Sequence, residues 1–245
     1  MRTIIGVLTY QRLDMLQTCL ESLRAVDRSA CEIVIANNSE DDGYIVAVED
    51  LARQHRVGLL TFRKNRGTSA SWNALARVYD SDEIVIFNDD IRVMDGWLEA
   101  IRETISDPCV GLISLSLANG PEPWTSYRNA APLVARPPLQ RFRCVYPTGA
   151  LLAMRREVFD RVGGFDENLW IGFEEVDFGI RACRLGLENF NVGTEGGTYL
   201  FAAHYGGATG YSPKSDQAAY FERKHGVAFP MSQEWERQLL AGAGP

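Results

Sequence analysis

The chain predicts an α/β fold: a mostly parallel central sheet with helices on both faces. Three observations carry this. Short, β-rich apolar runs alternate with longer segments whose leucines recur at helical spacing. Strands alternating with helices imply βαβ units, whose right-handed crossovers cover both faces of the sheet. Polar residues then cluster where the apolar runs stop, which is where ligands sit in such sheets.

The elements follow in order. Thr3–Thr9 reads as a strand, and Arg12–Val26 as a helix carrying Leu13, Leu16, Leu20 and Leu23. Glu32–Ala36 is a second strand and Tyr44–Gln54 a second helix. Val57–Phe62 is a third strand, and Thr68–Tyr79 a third helix with Leu75 and Val78 facing inward. Ile84–Phe87 is the fourth strand. The second half begins with Leu117–Arg143, a Pro-rich stretch of little periodicity that reads as a long surface excursion. Val145–Met154 reads as a strand, Arg155–Val162 as a short helix stopped by Gly163-Gly164, and Glu174–Leu185 as a further helix. Thr198–Ala203 is another β run, Tyr205–Ser215 is Gly-rich, and Asp216–Lys224 and Gln233–Leu240 read as terminal helices. The expected organisation is a βα half over 1–116, a second half of the same domain over 117–212, and a helical tail over 213–245.

Composition narrows the function classes. The chain has 245 residues, 46% hydrophobic and 23% charged, enough for a real core. A net charge of −7 argues against nucleic acid as a partner. The five cysteines are scattered and form no CxxC pair, so reduced thiols and a cytoplasmic location are expected. The apolar run Cys144–Met154 is too short to span a bilayer and contains Pro147 and Gly149, so no membrane span is expected. Neither GxGxxG nor GxxxxGK[ST] occurs, which removes support for a dinucleotide oxidoreductase or a P-loop enzyme.

The densest chemical signal is Asn88-Asp89-Asp90 at the end of the fourth strand. Two like charges about 4 Å apart cost roughly 4 kcal/mol at an effective dielectric near 20, and a cation between them reverses the sign. Hard carboxylate oxygens suit Mg²⁺ or Mn²⁺, which are commonly shared with substrate phosphates. Three more clusters fall at neighbouring strand ends: Thr9-Tyr10-Gln11-Arg12, Asn37-Asn38-Ser39 and the basic Arg63–Gly67. Asn37 and Asn38 can bond a base edge, Lys64 and Arg66 can meet phosphate, and Asn88 or Asp89 can reach a ribose hydroxyl. Together they describe a nucleoside-diphosphate pocket, though each cluster also reads as an ordinary turn or solvated loop. A second constellation is Trp170-Ile171-Gly172-Phe173-Glu174-Glu175-Val176-Asp177. Carboxylates at a helix start complement its dipole. One of them, with its pKa raised by aromatic neighbours, can also serve as a general base. His204 ends an apolar run, which suits either a structural role or Mn²⁺ ligation.

These pieces, in this order, resemble glycosyltransferase family 2 with the GT-A fold, and in particular its soluble rhamnosyltransferase-like group. The matching stretches are LTYQRLDMLQTCLESL, IVIANNSEDDG, KNRGTSASWNALAR, FNDDIRVMDGWLEAI, PTGALLAMRREVFDRVGGFDENL and GFEEVDFGIRACRLG, over about residues 3–206. The resemblance implies a Rossmann-like sheet plus a smaller acceptor-side subregion. It implies that Thr9, Tyr10 and Arg12 meet the nucleotide and that Asn37 contacts the base, in a segment where the family usually has Asp. Asn65, Arg66, Gly67 and Asn73 would flank the nucleoside. Asn88-Asp89-Asp90 matches the DxD motif, with Asp90 as metal ligand, Asn88 in place of the first Asp, and Asp89 between them. Gly149 and Ala150 would line the donor sugar. Glu174-Glu175 matches the family's Glu-Asp pair, making Glu175 the base with a side chain one methylene longer. His204 would complete the metal site.

The implied function is inverting, metal-dependent transfer of a sugar from a nucleoside-diphosphate donor to an acceptor hydroxyl on a glycan, glycolipid or protein, with Mn²⁺ or Mg²⁺. Trp124, Trp170 and Tyr211 are candidate acceptor linings, and the terminal helices a candidate homodimer contact. Two other classes remain open at this stage: a nucleotidyltransferase, and a non-catalytic sugar-nucleotide or glycan-binding module on the same fold.

Overall fold

The computed structural model describes residues 1–119, 138–194, 201–205 and 215–242. Trp124, Tyr211 and most of the Pro-rich and Gly-rich stretches lie outside them. The first half is a run of βα units: β1 (Thr3–Thr9), α1 (Leu13–Ser22), β2 (Cys31–Asn37), α2 (Asp42–His55), β3 (Gly58–Thr61), α3 (Gly67–Arg77) and β4 (Glu83–Asn88). Strands β3, β2, β1 and β4 lie side by side and parallel, with Leu8 opposite Asn88 and Thr9 opposite Asn37. Their carboxyl ends therefore share one edge. The helix expected over Arg12–Val26 is shorter, because Leu23 onward closes in turns.

Next come β5 (Ile91–Val93), α4 (Trp97–Ile105), β6 (Val110–Leu115), β7 (Leu117–Asn119), β8 (Leu139–Cys144) and β9 (Leu151–Arg155). They are followed by α5 (Arg156–Val162), α6 (Glu174–Arg184), β10 (Glu188–Thr194), β11 (Ala202–His204), α7 (Ser215–His225) and α8 (Gln233–Leu240). The strand expected over Val145–Met154 starts only at Leu151, since Pro147 and the turn after it interrupt pairing. The surface excursion expected over Leu117–Arg143 has strands at both ends, β7 and β8.

The main sheet orders as β3-β2-β1-β4-β9-β6-β10-β8. Strand β9 runs antiparallel to both β4 and β6, so the two halves of the chain share one continuous sheet. A small second sheet, β5-β11-β7, sits beside the end of β4 and pairs His204 with Ile91.

Alternation of strand side chains builds two cores. Ile5, Val7, Ile33, Ile35, Val85 and Phe87 face α1, α2 and α4, while Ile4, Leu8, Val34, Ile84 and Ile86 face α3, α5 and α6. A third, smaller cluster joins α6 to α7 and α8 through Phe173, Ile180, Phe221 and Leu239. Among the described residues no helix is long and apolar enough to cross a membrane.

Candidate functional site

Parallel pairing puts the polar ends of β1, β2 and β4 next to one another. Thr9 donates its hydroxyl to Asp89 at 2.7 Å and shares a 2.5 Å hydrogen bond with the Tyr44 hydroxyl. The Arg12 guanidinium bridges both aspartates, at 2.8 Å from Asp89 and 2.8 Å from Asp90. Its backbone N–H donates to Tyr44 at 3.1 Å. Tyr44 is a member of this network that the sequence did not flag. Its hydroxyl finds Thr9 across 35 residues of chain, so no local pattern marks it.

The two aspartates differ. Burial pushes the Asp89 carboxyl up to about 6, against the pull of Arg12 and Thr9. Burial also opposes charge on Asp90, but hydrogen bonds from His204 and Arg12 outweigh it and hold Asp90 below the usual range. Strand β11 brings His204 Nε2 to 3.5 Å from Asp90 Oδ2, and Tyr205 N–H donates to the Asp90 carbonyl at 2.9 Å. Asp90 Oδ1 is buried with no hydrogen-bond partner among the described residues. A buried carboxylate oxygen without a donor is costly unless something binds it. An oxygen ligand with an imidazole beside it fits Mn²⁺ or Mg²⁺. Among the described residues no three His, Cys, Asp or Glu side chains are grouped so as to hold a metal ion by themselves.

At the end of β2, Asn37 is fully buried: its Oδ1 accepts from Ser39 N–H at 2.9 Å, and its Nδ2 has no partner among the described residues. Asn38 instead ties β2 to α3 through Gly67 O and Ser71. Asn65 accepts from Gly67 N–H, Arg66 lies over the Phe62 ring at 4.8 Å, and Tyr10 is exposed. Gly67 has φ +76, and a side chain there would run into the Trp170 carbonyl and ring. Asn73 commits its amide to Phe165 and Glu167, clasping the loop that leads to Glu174.

The second constellation lies across this edge. Burial raises Glu174, which also accepts hydrogen bonds from the Gly172 N–H and the Thr68 hydroxyl at the start of α3. The Glu175 carboxyl packs on Gly149, so closely that a Cβ there would sit 2.7 Å from its carboxylate carbon. Burial, with Glu174 beside it, pushes Glu175 up to about 8. Asp177, expected to share in capping α6, is instead fully buried and paired with Arg181, Lys224 and His225. The two constellations meet through one short path: Asn88 N–H donates to Ala150 O at 3.3 Å, and Ala150 follows Gly149.

The arrangement therefore connects Asp90, the polar ends of β1, β2 and β4, and Glu175. Comparison with known proteins gives the family. The family model "Glycosyl transferase family 2" matches residues 4–163. A pre-mycofactocin glycosyltransferase of Mycobacterium tuberculosis is 28% identical over 185 residues, covering 71% of this chain but 37% of that protein. The chain thus spans little more than a third of that relative. An uncharacterized glycosyltransferase, YwdF of Bacillus subtilis, is 26% identical over 75% of this chain and 69% of its own length. Among solved structures, a mannosyltransferase from Pyrobaculum calidifontis in complex with GDP-Man and Mn²⁺ superposes with a TM-score of 0.69 at 17% identity. That match covers 99% of this chain and 69% of the other, and it shows a shared fold.

Proposed function

The chain belongs to glycosyl transferase family 2, and from that premise we propose that it transfers a sugar from a nucleoside-diphosphate donor to an acceptor hydroxyl, with inversion and a divalent cation. Asp90 and His204 would hold the cation. When bound, it supplies Lewis acidity to the departing diphosphate. The nucleotide-sugar donor and Mn²⁺ seen with the Pyrobaculum mannosyltransferase support this reading.

The remaining work falls to the protein's own groups. Thr9, Tyr44 and Arg12 hold Asp89 and Asp90 rigid at the end of β4. Asn37, Asn65, Arg66 and Gly67 bind the nucleoside side, and Gly149 and Ala150 line the donor sugar. The Glu175 carboxylate accepts the proton of the acceptor hydroxyl as its oxygen attacks the anomeric carbon. The bond to the diphosphate oxygen breaks on the opposite face, giving inversion and free nucleoside diphosphate. A carboxyl near 8 is well matched to that transfer, since general bases work best with a pKa near the working pH. Holding donor and acceptor in line supplies a further large share of the rate.

The observation that carries the proposal is the short path from Asn88 through Ala150 and Gly149 to Glu175. It links the end of β4 to the Glu175 turn, which lie far apart in sequence, and this supports reading them as one site. The test is a thermal-shift screen of sugar nucleotides with and without Mn²⁺. One nucleoside family is expected to give a Mn²⁺-dependent shift. Asp90→Ala should remove that shift, and Glu175→Gln should keep it while abolishing transfer. Release of pyrophosphate in place of nucleoside diphosphate would overturn the assignment in favour of nucleotidyl transfer.

A further inference from the structure

Glu175 follows a backbone that a phenylalanine rarely adopts. Gly172 and Phe173 both have positive φ, +86 and +73, directly before α6. For a bulky L residue that conformation persists only where its surroundings enforce it. The enforcing contacts come from helix α7 and from Phe229 shortly after it. The Phe173 ring is stacked on Phe221 at 4.9 Å and 18°, with Phe229 edge-on at 5.2 Å. Both Phe173 and Phe221 are buried.

Helix α7 also grips the chain on either side of the turn. Before it, Gln217 Oε1 accepts from Ile171 N–H at 3.2 Å. Asp166 accepts from the Tyr220 hydroxyl at 2.8 Å and from Lys224 at 2.6 Å. After it, Asp177 pairs with His225 at 2.8 Å and with Lys224 at 2.5 Å. Arg181 meets the same carboxylate from within α6, and Arg184 lies 3.2 Å from the other ring nitrogen of His225. Lys224 thus ties Asp166 and Asp177 together, one on each side of Glu175. Asp177 and His225 are buried, Asp166, Arg181 and Lys224 are partly buried, and the groups satisfy one another, so they favour one geometry for the turn.

We propose that α7 is the positioning element of the candidate base: Phe221, Gln217, Lys224 and His225 hold the Trp170–Asp177 turn so that Glu175 stays packed on Gly149. This rests on the reading of Glu175 as base, because a positioning role has meaning only if that carboxyl works. None of the four is a catalytic residue; each acts through the backbone or through Asp177. A tail that secondary structure alone would describe as an appendage is then part of the site.

The test follows Glu175 itself and needs no substrate. The full chain, labelled with ¹³C at the glutamate carboxyl carbons, is titrated by NMR, with Glu175→Gln identifying the resonance. In the unaltered protein Glu175 is expected to titrate at about 8. In Phe221→Ala the turn loosens and more water reaches the half-buried carboxyl, so its titration should fall by about a unit or more. Phe221→Leu, which keeps an apolar body against Phe173, should restore the original titration. A folded Phe221→Ala protein whose Glu175 titrates unchanged overturns the proposal. If Phe221→Ala does not fold, Gln217→Ala removes the acceptor for Ile171 N–H. A downward shift in that variant supports the proposal and an unchanged titration overturns it. The two layers separate cleanly. If Glu175→Gln still transfers sugar, the base assignment fails whatever α7 does. If that variant is inactive and the titration ignores α7, only the positioning role fails.

Discussion

Glu175 and Asp89 hold their protons more tightly than ordinary carboxyl groups, and this has a price in stability that should be measurable. Burial raises Glu175 from 4.5 to about 8 and Asp89 from 3.8 to about 6. A group whose folded pKa lies above its unfolded value favours the folded state when protonated. That contribution is complete below the unfolded value and is lost as pH rises through the folded one. The melting temperature should therefore fall between about pH 4.5 and pH 8, in the window set by these two groups. Glu175→Gln cannot ionise, so it should flatten the upper part of the decline and melt higher than the unaltered protein at pH 8, while matching it near pH 4.5. Thermal melts across that range check this. A variant that melts lower at pH 8 would show that Glu175 is charged and well solvated in the fold. Transfer should show the complement: kcat/KM rises with pH through about 8, since the base must be ionised in the free enzyme.

At the level of elements, two glycines make opposite predictions. Gly67 starts α3 with φ +76, packed against the Trp170 carbonyl, which in turn accepts from Thr68 N–H at 2.7 Å. Backbone cannot yield there, and an L residue in the left-handed region costs about 1–2 kcal/mol before any clash. Gly67→Ala should destabilise the protein by at least about 2 kcal/mol in urea unfolding. An unchanged midpoint would contradict the packing of α3 on the Trp170 turn. Gly149 faces only the end of a flexible side chain, the Glu175 carboxylate. Gly149→Ala should therefore leave the urea midpoint nearly unchanged and lower transfer by about tenfold or more, because a small displacement of a base is costly. Loss of stability with full activity would reverse the role assigned to that contact.

Across the whole molecule, legibility in the sequence follows the range of the interaction. The strands of the first half could be read because each is an apolar run ended by polar residues, and the observed β1 and β4 agree with those runs to within a residue. The clustering of Thr9, Asn37 and Asn88–Asp90 followed, because parallel strands must finish on one edge. Strand β9 could not be placed the same way: its partners β4 and β6 precede it, and nothing local in Leu151–Arg155 sets its direction. The role of Asp177 was also hidden. Its acidity reads as helix capping until His225, 48 residues further on, is seen against it. Tyr44 escaped for the same reason. The central claim is likewise non-local: the Asp90 end of β4 and the Glu175 turn belong to one site. Paramagnetic broadening by Mn²⁺ tests it most directly, with the His204 ring and the ¹³C-labelled Glu175 carboxyl as reporters. Both resonances should broaden as MnCl₂ is added, and both should stay sharp in Asp90→Ala. A His204 signal that broadens while Glu175 remains sharp would place the cation and the base in separate sites.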